Sequence, residues 1–295
     1  MDTLVSIIIP TFNRPVLLQH ALESVCKQTY QHIEVIVIDD GTPGKENKEI
    51  CEKFNKVQYH KIENSGGPAR PRNEGAKIAT GDFLAFLDDD DLWAPEKLEK
   101  QVSLIHENPQ FGLVHGPCKV MDESGKVTGE IIGRPGSPEV KHGNVTMRMI
   151  GNWTLMTSSV LIKKEVFNNV GNFNELMPPA GEDTEFWVRC SYVCQFFYFD
   201  EPLVLYRRHT STSVAFNSKY FDLTLHLKKT LADAFEKQLI TKNQTRTLTN
   251  NLVKKQIKDM HRGKRKTFKR LFKLNPFWFL NFGNLKFFLL KIVRK

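Results

Sequence analysis

The chain has 295 residues, of which 40% are hydrophobic and 25% charged, an ordinary globular composition that excludes fibrous and disordered classes and allows a sizeable core. Its net charge of +9 is unevenly spread, with 22 Lys/Arg against 29 Asp/Glu in residues 1–216 and 20 against 4 in residues 217–295. Two parts with different partners are therefore expected: an acidic unit over 1–216 and a basic helical region over 217–295.

The acidic unit opens with apolar, β-rich runs at Val5–Ile9, Glu34–Ile38, Val57–His60 and Phe83–Leu87, separated by helical patterns at Val16–Cys26, Glu46–Phe54 and Arg70–Ala79. Such alternation predicts an α/β fold with a mostly parallel central sheet flanked by helices. A helix should start at about Pro95, and a strand is expected at Leu113–Pro117. The Gly- and Pro-rich stretch that follows, up to Asn152, reads as a loop-rich connection. Ser158–Ile162 is then read as a strand, Lys164–Val170 and Glu182–Cys194 as helices, and Leu203–Tyr206 as a last strand. Beyond about Asn217 only basic helices are expected.

Open α/β sheets bind ligands beyond the carboxyl ends of their strands, so residues following each strand are the natural candidates. Asp88, Asp89, Asp90 and Asp91 directly follow a buried strand. Four adjacent carboxylates repel, and a hard cation such as Mg²⁺ or Mn²⁺ shared with substrate phosphates would relieve them. In an extended segment Asp88 and Asp90 point the same way. The competing reading is a solvated acidic turn. Asp39 and Asp40 end the second strand before Gly41, where a carboxylate can accept from a nucleobase or ribose, or simply cap a turn. Asn64–Asn73 is a glycine-rich entry to a helix that carries Arg70 and Arg72, which either suit an anionic phosphate or pair with local carboxylates. Glu182 and Asp183 begin a helix, where they either complement its dipole or supply a general base.

Val5–Pro15, Gln28–Tyr30, Glu34–Thr42, Ala79–Asp91 and Gly171–Asn174 through Glu182 and Asp183 occur in the order that resembles the inverting glycosyltransferases of family 2, which have the GT-A fold. The resemblance covers roughly residues 4–213 and rests on several spaced motifs rather than one. It implies transfer of a sugar from a nucleotide diphosphate, most simply UDP, to an acceptor hydroxyl with inversion. It implies that Asp40 contacts the base, with Pro10 and Thr11 lining the same pocket. Asp88 and Asp90, the outer positions of an Asp-x-Asp motif, are implied to hold ribose and the bridging Mg²⁺ or Mn²⁺. Asp89 stands at the middle position, commonly small in the family, and adds to the donor site. Asp183 is implied as the catalytic base, with Glu182 supporting the acceptor. Arg207, Arg208, His209 and Ser211 fall where a loop covers the diphosphate, with His209 a further metal ligand. A silent nucleotide- or sugar-binding module is the alternative from another class.

The basic region lies beyond the resemblance. Ten Lys/Arg between Lys254 and Lys273 precede the apolar groups Pro276–Leu280 and Leu285–Ile292, a pattern of an interfacial helix on an anionic membrane. Nucleic-acid binding is the less favoured reading, because the aromatic residues form blocks rather than a dispersed series. Packing onto the catalytic unit and oligomerisation stay open. No run of about 20 apolar residues predicts a spanning helix. The five cysteines lack Cys-x-x-Cys spacing and read as free thiols, and the start of the chain lacks a signal-peptide pattern. The expected location is cytoplasmic, peripheral at the inner face of a membrane, with a glycan or lipid-linked acceptor.

Overall fold

The computed structural model describes residues 3–177, 181–209, 222–262 and 264–293. The expected boundary at 216/217 and Ser211 lie outside the described residues. The chain opens with β1 (Val5–Thr11), α1 (Pro15–Cys26), β2 (Ile33–Asp39), α2 (Glu46–Cys51), β3 (Val57–Lys61), α3 (Ala69–Ile78) and β4 (Phe83–Phe86). Pro15 starts α1 at a position whose N–H has no helical acceptor to lose. β5 (Leu92–Trp93), α4 (Lys97–Glu107), β6 (Phe111–His115), β7 (Cys118–Met121), β8 (Val127–Ile132), α5 (Thr146–Met149), β9 (Leu161–Lys163), α6 (Lys164–Val170), α7 (Glu182–Val193), β10 (Gln195–Tyr198) and β11 (Val204–Arg207) follow. Four helices close the described chain: α8 (Leu223–Glu236), α9 (Lys242–Lys258), α10 (Lys264–Leu274) and α11 (Phe282–Val293).

Seven strands form the main sheet in the order β10-β6-β9-β4-β1-β2-β3. β1 pairs in parallel with β2 and β4, β2 with β3, and β6 with β10, while β9 runs antiparallel to β4 and β6. Because side chains alternate along a strand, the sheet feeds two cores. Ile8, Ile36, Leu84 and Phe86 face one side, with α3, α6, α7 and the C-terminal helices. Ile7, Ile9, Val35, Val37 and Ala85 face the other, with Leu18, Leu22, Leu98 and Val102 of α1 and α4. Gly75 brings α3 hard against the sheet, since a Cβ there would lie 2.5 Å from Ile8 Cγ2.

Two readings of the sequence are corrected. The stretch expected to be loop-rich contains β7 and β8, which join β5 and β11 in a second sheet of order β5-β11-β7-β8. β8 leaves its first four residues exposed at the sheet edge, so it carries no buried alternation to read. The strand expected over Ser158–Ile162 is shorter and later, because Thr157–Ser159 form a 3₁₀ turn before β9.

The basic region does not stand apart. Leu223, Leu227 and Leu231 of α8, Leu248 and Leu252 of α9, and Leu271 and Leu274 of α10 are buried in the same core as Phe186 and Trp187 of α7. α9 is held at its start by a capping box between Thr241 and Gln244, which satisfies two backbone donors reciprocally. All five cysteines are free thiols, as expected.

Candidate functional site

β4, β1, β2 and β3 are neighbours in parallel, so the residues leaving their carboxyl ends gather on one rim. Those residues are Asp88–Asp91 after β4, Thr11 and Arg14 after β1, Asp40 after β2, and Asn64 and Ser65 after β3.

The four aspartates are not extended. The Asp91 N–H donates to the Asp88 carbonyl at 3.0 Å, closing a turn that points the carboxylates in different directions. Asp88 accepts from Arg72 Nη2 at 2.7 Å. Asp89 is buried and accepts from Thr11 Oγ1 at 2.8 Å and Arg14 Nη1 at 3.1 Å. Asp90 Oδ2 meets Arg14 Nη1 and His209 Nε2, each at 2.9 Å. Asp91 accepts from Ser158 Oγ at 2.6 Å and from the Arg207 N–H at 2.9 Å, which ties the turn to β11. The expectation that Asp88 and Asp90 share a direction is thus corrected: the turn gives Asp88 to Arg72 and Asp90 to Arg14 and His209. Burial, then the charge of Asp90, pushes the Asp89 carboxyl up to about 7 against the pull of Arg14. Burial likewise raises Asp91 well above the usual carboxylate range.

Arg72, on α3, is 3% exposed and joins two elements. Its Nη1 donates to Glu182 Oε1 at 3.0 Å while Nη2 holds Asp88, and its guanidinium lies 5.4 Å from the Phe173 ring centroid. Burial opposes its charge, yet Asp88 and Glu182 more than compensate and hold its pKa raised. Of the two roles the sequence left open for Arg72, phosphate ligand or carboxylate partner, the second is the one its terminal nitrogens take here. Only its Nε is left buried without a partner.

α7 begins at Gly181 with Glu182, Asp183 and Glu185 in its first turn, where negative charge suits the helix dipole. The two leading carboxylates differ sharply. Glu182 has both oxygens occupied, by Arg72 Nη1 and by the Gly181 N–H at 3.0 Å. Asp183 is half-buried; its Oδ1 accepts the Thr184 N–H at 2.5 Å, and its Oδ2 has no protein partner among the described residues. Burial first, and the neighbouring charge of Glu182 second, push Asp183 up to about 7, with Arg72 opposing. A carboxylate poised near neutrality with one free oxygen is the form a general base takes.

The Asp39–Asp40 pair also divides its labour. Asp39 is consumed by the fold, accepting from the Thr42 N–H at 2.7 Å, Asn47 Nδ2 at 3.1 Å and Tyr59 OH at 2.8 Å. Asp40 Oδ1 accepts from the Ser65 N–H and Oγ, both at 2.8 Å, and its Oδ2 has no protein partner among the described residues. Gly41 has φ +85° and a Cβ there would meet the Asn64 N at 2.7 Å, so the chain after Asp40 requires glycine. Pro10 and Thr11 are buried at the neighbouring strand end.

Arg207 and Arg208, expected over a diphosphate, are placed otherwise. Arg207 is buried, its Nε donating to the Asp90 carbonyl at 2.9 Å and its Nη1 to the Glu123 carbonyl at 3.0 Å. Backbone carbonyls of the turn and of the β7–β8 connection have claimed its donors. Arg208 forms a two-pronged pair with Glu130 on the surface. Of the segment expected to cover the diphosphate, Arg207 and His209 reach the acidic turn, Arg207 at the Asp91 carboxylate and the Asp90 carbonyl and His209 at the Asp90 carboxylate. Among the described residues no three His, Cys, Asp or Glu side chains converge as a ready metal cage. Arg14, Ser65 and Ser158 had not been singled out from the sequence. Two of them, Arg14 and Ser65, follow strand ends on the same rim as the aspartates, and that position was the available signal.

Residues 6–164 match the family model described as Glycosyl transferase family 2. A glycosyltransferase of Rickettsia conorii, RC0461, is 30% identical over 213 residues, which is 71% of this chain and 34% of that protein. The chain therefore spans about a third of the length of that relative. WfgD of Escherichia coli, named a UDP-Glc:alpha-D-GlcNAc-diphosphoundecaprenol beta-1,3-glucosyltransferase, is 34% identical over 124 residues, 42% of this chain and 49% of that protein. Among solved structures, S. aureus TarS 1-349 in complex with UDP-GlcNAc superposes with a TM-score of 0.61 at 18% identity, covering 93% of this chain and 91% of that one. That likeness bears out the expected GT-A fold.

Proposed function

The chain belongs to glycosyl transferase family 2, and from that membership we propose that it transfers a sugar, with inversion, from a UDP-sugar to a hydroxyl of a glycan or lipid-linked acceptor at the inner face of a membrane. The observation that carries the proposal is the contrast at the start of α7: Glu182 is fully engaged, while Asp183 keeps Oδ2 free and is held at about 7. The catalytic unit is taken as residues 1–216, with 217–295 as its helical extension. A UDP donor is favoured because a fold neighbour is complexed with UDP-GlcNAc and a relative is named for UDP-Glc. A lipid-linked acceptor is favoured by that relative's name.

In this reading Asp40 Oδ2, beyond β2, accepts from the base, while Pro10 and Thr11 back the same pocket. Asp183 Oδ2 takes the proton of the acceptor hydroxyl as its oxygen bonds to the anomeric carbon. The bond from that carbon to the diphosphate breaks, and the electron pair leaves with the diphosphate. Arg72 acts through other groups: it fixes Asp88 beside the donor and Glu182 beneath the acceptor, and its charge keeps Asp183 from rising further.

A divalent cation fits the pair Asp90 and His209. Their carboxylate oxygen and imidazole nitrogen meet at 2.9 Å, and Arg14 Nη1, also 2.9 Å from that oxygen, would give way to Mg²⁺ or Mn²⁺. Bound there, the cation would neutralise charge developing on the leaving diphosphate. Asp90→Ala is expected to abolish metal-dependent turnover and to remove the Mn²⁺-dependent part of UDP binding, measured by calorimetric titration. Undiminished metal-dependent binding in that variant would take Asp90 out of the site.

The base also fixes a pH dependence. Asp183 works only when deprotonated, so kcat/KM should rise about tenfold per pH unit below about 7 and level off above it. Asp89 is held near the same value, so the profile is measured again in Asp89→Asn. Persistence of the inflection assigns it to Asp183, and its disappearance assigns it to the acidic turn.

A further inference from the structure

α10 has two apolar faces. Thr267, Leu271 and Leu274, spaced by about one helical turn each, are buried against the rest of the protein. Phe268 and Phe272, one turn apart on another face, are 49% and 38% exposed. Further exposed apolar side chains follow in the chain, Phe277 at 67%, Leu280 at 72% and Phe282, the first residue of α11, at 78% exposure. Nine of the seventeen exposed large hydrophobic residues among those described fall within residues 268–292, and ring contacts of Phe268 with Phe272 and Phe288 and of Phe272 with Phe279 join part of this set in space.

The patch is embedded in positive charge. Residues 254–295 contain 14 Lys/Arg against one acidic residue, Asp259, which Lys255 already engages at 3.4 Å. Between α10 and α11 an apolar groove of about 430 Å³ is lined by Met260, Phe268, Phe288 and Ile292 together with Arg265 and Lys269. Arg265 and Lys269 are exposed, and no carboxylate of the described residues pairs with either. Acyl-sized apolar space beside two uncompensated cations matches the chemistry of an anionic lipid: a phosphate at the cations and a chain in the groove. A second copy of this chain would bring like charge against like charge, and nucleic acid is served by dispersed stacking rings rather than by one aliphatic and aromatic block. No described helix is long and apolar enough to cross a membrane, so the contact is made at the surface.

We infer that the outer face of α10 and α11, with the 275–281 turn between them, docks on an anionic phospholipid bilayer through Phe268, Phe272, Phe277 and Phe282, with Arg265 and Lys269 on lipid phosphates. The inference rests on these helices alone and not on the transfer reaction.

The full chain is sedimented with vesicles of phosphatidylcholine, with and without phosphatidylglycerol. Binding should require the anionic lipid and weaken as salt is raised. Arg265→Ala with Lys269→Ala should lower the partition coefficient about thirtyfold, the scale of two basic side chains at such a surface. Phe277→Ser with Phe282→Ser, at positions that face solvent, should lower it at least about tenfold without altering the melting temperature. Equal binding to neutral vesicles, or indifference to the phenylalanine pair, overturns the inference. So does a phenylalanine variant that loses self-association and not lipid binding. UDP binding is measured on the parent chain in parallel: no binding to anionic vesicles with UDP binding intact counts against the surface alone, and lipid binding without UDP binding counts against the transferase reading alone.

Discussion

Asp183→Asn is expected to lower transfer by a factor of about 10² to 10⁴, the range of a general base, while UDP-sugar binding stays close to that of the parent. The amide keeps the size of the carboxylate and keeps an oxygen for the Thr184 N–H, so the first turn of α7 has no cause to rearrange. What it loses is the ability of the second oxygen to take a proton. The reaction is followed as UDP release from UDP-glucose and UDP-GlcNAc with acceptor present, and donor affinity by calorimetry. A parallel fall in donor affinity and turnover would move Asp183 from the acceptor side to the nucleotide side. The control is Glu182→Gln, which keeps one oxygen for Arg72, gives up the acceptor for the Gly181 N–H and removes a charge. It should lower the pKa of Asp183, since Glu182 is the second cause of its elevation, and so shift the pH inflection downward.

The β/α alternation up to Phe86 was legible because β1, β2 and β4 are buried on both faces and read as near-continuous Val, Ile and Phe runs. β7 and β8 were not legible because β7 is held by pairing with β11 and β8 by pairing with β7 rather than by patterns of their own, and Gly129 interrupts β8 with φ +82°. β10 hides directly behind α7, where Gln195–Tyr198 continues an apolar sequence without a turn signal.

At the site, the sequence reveals which carboxylates crowd a strand end and leaves open where each one points. The turn closed between Asp88 and Asp91 depends on Ser158 and Arg207, 67 and 116 residues from Asp91, and no local pattern encodes contacts at such separations. The same holds for Arg72. A helix-start arginine reads as an anion ligand until the fold brings Glu182, 110 residues away, against it. In the basic tail, composition shows apolar and cationic residues together. Only the packing separates Leu271 and Leu274, turned inward, from Phe268 and Phe272, turned out.

Arg72→Met is expected to destabilise the folded chain by about 3 kcal/mol, because it leaves Glu182 charged, 4% exposed and without its cation. Asp88, at 35% exposure, keeps water as a partner, which holds the expected loss at the lower end of the range for broken buried pairs. Urea unfolding should show a lower midpoint with an unchanged slope, since the surface exposed on unfolding is the same. Arg72→Met combined with Glu182→Met should recover most of the loss, because two apolar side chains of similar size need no counter-charge. A loss under about 1 kcal/mol for the single change would mean that water screens the pair. A functional consequence separates positioning from simple instability. Arg72 opposes the elevation of Asp183 more than the Thr184 N–H does, so its removal should carry the pH inflection of kcat/KM upward from about 7 in the protein that remains folded. A folded variant with an unmoved inflection would show that Arg72 holds the helix start together and leaves the base alone.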